Sequence, residues 1–156
     1  MKSFLPITIR FKELEDEPYI YSSWIKNMSV NIPHSYCSKK LFCQNKSLQI
    51  KNIFTISTTL IAALTEDPDI ILGYLTYSFL PPNYNLIIHN GHVKGKYRKN
   101  YIMHDLLSVA DPQWQDKLIG ITQYTHDTFG IFAKKYKLTY DPYVIDLLLQ
   151  LKEKEL

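Results

Sequence analysis

Lys94, Lys96, Arg98 and Lys99 crowd one short stretch of N-L-I-I-H-N-G-H-V-K-G-K-Y-R-K-N-Y-I-M-H-D-L-L, which runs from Asn85 to Leu107. They lie between an apolar run and an amphipathic one. A strand that ends beside a helix N-terminus leaves main-chain N–H groups pointing outward, and the helix dipole adds positive potential there. Such a segment suits a phosphate-bearing ligand, whose charge the four cations would meet. The plainer alternative is a solvated basic loop, since Lys is common on surfaces. His34, Cys37 and Cys43 are also of ligand type, but structural zinc takes four ligands at paired short spacings and no C-x-x-C is present. No metal is expected.

These residues must be held by a scaffold, and the scaffold is readable in outline. Ile7 to Phe11 alternates, with Ile7, Ile9 and Phe11 on one face, which predicts an opening strand. Asp16 and Glu17 then start a helix whose apolar residues Tyr19, Ile20, Trp24, Ile25 and Met28 recur at helical spacing, with Lys26 toward its C-terminal end. Trp24 and Tyr21 read as core, with one edge available to line a cleft. Residues 31–40, with Pro33, Ser35 and Ser38, have turn chemistry, and 41–56 are compatible with a second helix. Thr58 to Leu64 and residues 70–79 flank the polar T-E-D-P-D turn and predict a β-hairpin.

The strand Asn85 to Val93 and a short helix to about Ser108 follow, then a strand at 118–122. Residues 126–137 are a helix candidate with Phe129, Phe132, Ala133 and Tyr136 inward. Residues 138–145 read as extended, and a last helix begins near Val144. That order predicts an α/β (α+β) chain, a mixed sheet covered by helices. Residues 1–156 are expected to form one domain, with 151–156 a solvated tail.

A net charge of +3 is far below that of a protein wrapping DNA through many phosphates. Nucleic-acid binding by the basic run, with Tyr97 and Tyr101 as stacking groups, lacks any known module. Pro6 and Arg10 interrupt the N-terminal apolar residues, so no secretion signal is expected, and no apolar run approaches the roughly 20 residues of a membrane span. Two cysteines make no disulfide framework, which fits a reduced cytoplasm.

Val93-Lys94 followed by Tyr97-Arg98 resembles the cofactor motif of the GNAT acetyltransferase superfamily, in which a strand ending in V-K leads to Y-R-x-x-G-x-G/A and a helix. I-I-L-G-Y-L-T-Y at 70–77 resembles the superfamily strand in which a Gly-Tyr pair follows an acidic turn. Ser23-Trp24, Q-Y-T-H-D-T at 123–128 and K-K-Y-K-L-T-Y-D-P-Y at 134–143 resemble GNAT-like proteins encoded by bacteriophages. The resemblance spans residues 7–145.

It implies a mostly antiparallel mixed sheet, a splay between two central parallel strands, and helices on both faces. It also implies acetyl-CoA as cofactor. Gly91, His92 and Val93 would pair with pantetheine, and Arg98, Lys99, Asn100, Tyr101, Ile102 and Met103 would cradle pyrophosphate. Tyr101 and Met103 stand where the motif has its two glycines, which normally let main chain approach phosphate without a Cβ in the way. The implied reaction is direct acetyl transfer to an amine of a small molecule or protein, which needs a base and an acid. His89 is the candidate base, and Tyr136, one turn beyond the superfamily's usual place at 132–133, the candidate acid. As residues alone, a strand histidine such as His89 is more often a satisfied structural residue, and Tyr136 at its helical spacing more often core aromatic. The lost glycines leave a second function open: a degenerate GNAT fold of a phage that binds a host or phage protein. Pairing of two copies into a homodimer is also open.

Overall fold

The structure, a computed structural model, describes residues 6–29, 38–123, 125 and 133–155; side chains of Ser29, Lys99 and Asn100 are outside that description. Six strands form one sheet in sequence order: β1 (Ile7–Phe11), β2 (Thr58–Leu64), β3 (Ile71–Leu80), β4 (Asn85–Val93), β5 (Leu118–Ile121) and β6 (Thr139–Tyr140). The first four are antiparallel neighbours, and β4–β5 and β5–β6 are parallel. This is the mixed, mostly antiparallel sheet expected.

Alternation divides the sheet into two apolar faces. Leu60, Ala62, Leu72, Leu75, Leu86, Ile88 and Val93 point to one side, where α3 (Ile102–Ala110) buries Ile102, Leu106 and Leu107 against them. Ile61, Ala63, Ile71 and Tyr74 point to the other, where α1 (Glu17–Ser29) and α2 (Lys39–Ile56) bury Ile20, Trp24, Met28, Phe42, Ile50 and Ile53. Helices therefore cover both faces. On β1, Ile7 and Ile9 pack as expected but Phe11 is 69 % exposed, because the sheet ends beside it.

Local chemistry sets the helix ends. Arg10 on β1 holds the Asp16 carboxylate through Nη1 at 2.6 Å and Nη2 at 2.9 Å, and the same carboxylate accepts from Glu13 N–H at 2.8 Å. This fixes the turn that launches α1. Ser38 caps α2 by accepting from Leu41 N–H at 3.1 Å, which resolves the ambiguous 41–56 as helix.

The C-terminal third departs most from the reading. A 3-10 turn, Gly95–Asn100, intervenes before α3. A short α4 (Trp114–Lys117) precedes β5. Of the predicted helix at 126–137, residues 126–132 with Phe129 and Phe132 lie outside the described residues. The remainder is α5 (Lys134–Tyr136), ended by Lys137 in the left-handed region at φ 53°. Only Thr139–Tyr140 of the expected extended segment is strand, since α6 (Val144–Glu155) starts within it. Residues 151–155 continue α6: Leu151 is half-buried by Ile87, Val144 and Leu148, residues 152–155 are exposed, and Lys152 Nζ donates to the Thr55 carbonyl at 2.7 Å.

Candidate functional site

The site begins where β4 and β5 part. Their parallel register runs Leu86↔Leu118, Ile87↔Gly120 and Ile88↔Ile121, and among the described residues the last main-chain bond joins Thr122 N–H to the Ile88 carbonyl at 3.1 Å. β4 continues to Val93, five residues past Ile88, and this stretch is where the splay is expected. A bulge accompanies it: Tyr77 pairs with Ile88 and Thr76 with Asn90, which leaves His89 with no residue opposite on β3.

Beyond the bulge, Tyr74 lies opposite His92 and Lys94 N–H donates to the Leu72 carbonyl at 2.9 Å. In an antiparallel ladder this turns the main chain of His92 toward β3 and that of Gly91 and Val93 toward the splay. Of the three residues expected to pair with pantetheine, Gly91 and Val93 thus face the groove through their backbone. His92 instead sends its side chain to the α1 face, where Nδ1 lies 3.2 Å from Asn27 Nδ2 and the ring tilts against Tyr74 and Tyr19. Lys94 Nζ stands over the Tyr19 ring at 5.1 Å. Tyr19, Ser23 and Asn27 recur at four-residue spacing on α1 and form the opposite wall.

The loop after β4 is pinned at both ends. Tyr97 packs on the core, and Arg98 Nε donates to the Val93 carbonyl at 3.0 Å. Tyr101, at the position of the first motif glycine, has φ 58° and ψ 22°, the left-handed region glycine favours. It gives α3 no side-chain cap. The turn therefore keeps its glycine geometry without glycine, and Ile102 and Met103 open a nine-residue helix with first-turn N–H groups facing a basic loop. Met103, at the second glycine position, lays its side chain over Gly91: a Cβ on Gly91 would lie 2.9 Å from Met103 Cε.

The two candidate catalysts are placed elsewhere by the fold. His89 is fully buried, with Nε2 2.7 Å from Ser78 Oγ and Nδ1 2.7 Å from Thr122 Oγ1. Ser78 gives its one hydroxyl proton to the Ile56 carbonyl at 2.8 Å, so it must accept from His89 Nε2–H, and Nδ1 then accepts from Thr122. Burial pushes the imidazole from 6.5 down to about 3. His89 is a neutral clasp whose lone pair is already taken, not a base open to an acceptor. Tyr136 stacks edge-on against Trp114 at 5.2 Å, and Trp114 in turn meets His104 at 5.7 Å. Tyr136 precedes β6, which runs parallel to β5, so it lies toward the end where Leu86 and Leu118 still pair. The groove opens about 15 Å further along β4. Tyr136 is a half-buried aromatic packed against the α3-side core.

Trp24 is wholly buried, whereas Tyr21 edges an open groove of about 600 Å³ with Cys43, Gln44, Asn45, Ser47, Leu48 and Lys51 of α2. His34 and Cys37 lie outside the described residues. No described helix is long and apolar enough to cross a membrane. The cluster of Tyr19, Asn27, Tyr74 and His92 on the α1 side escaped sequence reading; its one local signal is the four-residue spacing on α1.

No family model and no curated protein matches the chain. Solved structures do. A "putative acetyl transferase" of Pyrococcus furiosus superposes with TM-score 0.60 at 14% identity, over 83% of this chain and 90% of its own. PaiA N-acetyltransferase of Thermoplasma acidophilum, in complex with coenzyme A, gives 0.54 at 16% over 83% and 87%. A GNAT-family acetyltransferase of Staphylococcus aureus Mu50 gives 0.54 at 16% over 84% and 81%. With the mixed sheet and the helix-opening turn, these likenesses define the chain's class: it has the fold of the GNAT acetyltransferases.

Proposed function

We propose that this chain binds acetyl-CoA in the β4–β5 groove and transfers the acetyl group to an amine on a small molecule or protein. The observation that carries the reading is Tyr101: the glycine conformation of the pyrophosphate turn persists under a residue that pays a steric penalty for it. Strain kept at a turn that presents helix N–H groups to a basic loop points to an anionic ligand there.

When bound, acetyl-CoA supplies an activated acyl group for attack by the acceptor nitrogen. N–H groups of Ile102 and Met103, with Lys94, Lys96 and Arg98, would hold its pyrophosphate, and Lys99 and Asn100 complete the loop. Gly91 and Val93 would orient pantetheine through their main chain. With His89 fully buried and Tyr136 packed against Trp114, His92, on the α1 side of the same strand with Nδ1 accepting from Asn27 Nδ2, is the imidazole we place beside the acceptor, oriented by that bond.

A second reading, a degenerate GNAT fold that works by binding a host or phage protein, is favoured by the placement of His89 and Tyr136. Calorimetry with CoA and acetyl-CoA, followed by turnover against a panel of amines, separates the two. Micromolar binding with turnover that His92→Gln lowers supports the transferase. Binding without turnover supports the degenerate form, and no binding at millimolar ligand removes the groove reading altogether.

A further inference from the structure

α2 and the turn before α1 carry apolar side chains that the core leaves outside. On α2, Leu41 is 48 % exposed and Leu48 62 %, seven residues apart on one stripe of the helix. Leu48 lines the open groove of about 600 Å³ with Tyr21, Cys43, Ser47 and Lys51. Small-molecule sites enclose most of their ligand, whereas an open groove leaves it in water, so a second macromolecule fits this surface better.

Charge decides which kind. α2 holds Lys39, Lys40, Lys46 and Lys51 and no acidic residue. Two of these lysines stand at its start, where the helix dipole already favours an anion. Lys46 is half-buried and bonded to Gln49, but Lys39, Lys40 and Lys51 are exposed and meet no carboxylate among the described residues. A second α2 laid on this stripe would set lysine against lysine. The surface calls for an occupant that is apolar and acidic. An anionic membrane would need a wider apolar face, because Phe42, Ile50 and Ile53 of this helix are buried in the core.

The chain itself carries such an occupant. Leu14, 77 % exposed, is flanked by Glu13 and Glu15 in the turn that launches α1. The next two acids are already matched, Asp16 by Arg10 at 2.6 Å and Glu17 by Lys12 at 3.2 Å, so Glu13 and Glu15 supply the outward negative charge of the turn. Leu14 precedes Tyr21 of the groove by seven residues, roughly 10–12 Å along the turn and α1. Leucine and groove thus belong to one helical layer, and a two-fold axis between them would seat the Leu14 of each copy in the groove of the other.

We propose that this chain pairs with a second copy of itself through the α1–α2 layer, Leu14 of each entering the groove of the other beside Leu48, with Glu15 toward Lys51. The contact is made twice per dimer, so each change in it counts twice. It is independent of what the loop before α3 binds.

Sedimentation velocity over a concentration series reads the dimer constant of the parent, Glu15→Lys, Lys51→Glu and Leu14→Ser. All three positions are exposed, so the substitutions should leave the fold intact, which far-ultraviolet circular dichroism checks. The parent should dimerise, and less strongly at high salt. Each charge reversal should weaken the dimer about tenfold, since two attractions become two repulsions, and Leu14→Ser should weaken it as well. An equal mixture of Glu15→Lys and Lys51→Glu should recover the parent's dimer, because both mixed contacts again join opposite charges. A parent that stays monomeric at millimolar concentration overturns the proposal, as does a dimer insensitive to either charge or a mixture no stronger than its parts. Flotation with phosphatidylserine vesicles is the counter-probe: a monomer that floats with them and is released by Lys51→Glu gives the face to a lipid surface and overturns self-pairing.

Discussion

Gly73 lies directly against the carbonyl of His92: a Cβ on Gly73 would come within 2.6 Å of that oxygen and 3.1 Å of Val93 Cγ2. The Gly-Tyr pair on β3 thus lets β4 approach where the groove begins. Gly73→Ala must push the two strands apart and is expected to cost about 1–3 kcal/mol. Gly91→Ala meets only the flexible end of Met103 and should cost less. Urea denaturation of the two variants gives the order; the reverse order would contradict the register of β3 and β4.

Tyr101→Gly removes a Cβ from a left-handed position at the price of a more flexible unfolded chain. Relief of the strain should leave stability equal or higher by up to about 1 kcal/mol. The variant should also bind CoA more tightly, because nothing then shields the turn. A lower melting temperature with weaker binding would mean that the Tyr101 side chain itself serves the site.

His89 makes stability depend on pH. Its folded value of about 3 lies below the ordinary 6.5, so under acid conditions the unfolded chain takes up a proton the native state refuses. The contribution is complete above pH 6.5 and declines as pH falls from there toward 3, by at most about 1.4 kcal/mol per unit. Urea midpoints at pH 7 and pH 5 should show the decline in the parent and a shallower one in His89→Gln.

Asp16 adds a second acid-sensitive element. Burial pushes its carboxyl up, but the Arg10 and Glu13 hydrogen bonds and the charges of Arg10 and Lys12 outweigh this and hold it below the ordinary 3.8. Its stabilisation is present above that value and is lost as pH falls through the lower folded one. Asp16→Asn should cost about 2–3 kcal/mol at pH 7, since it leaves Arg10 without its bidentate partner at the start of α1. The difference between parent and variant in thermal melts should be smaller at pH 3 than at pH 7.

Local pattern alone determined β1, α1, the β2–β3 hairpin and β4, because side-chain period and turn residues act within a few positions of each other. It also located the basic loop and the resemblance that names the fold. Only tertiary structure decided what His89 and Tyr136 do: burial and proton accounting depend on Ser78, Thr122 and Trp114, which lie far from them in sequence or on other elements. The left-handed turn at Tyr101 carries no local signal either, since a tyrosine there is unfavourable by itself and is held by the anchored Tyr97, Arg98 and α3 around it. The face that Tyr19, Asn27 and His92 share exists only once α1 packs against β4.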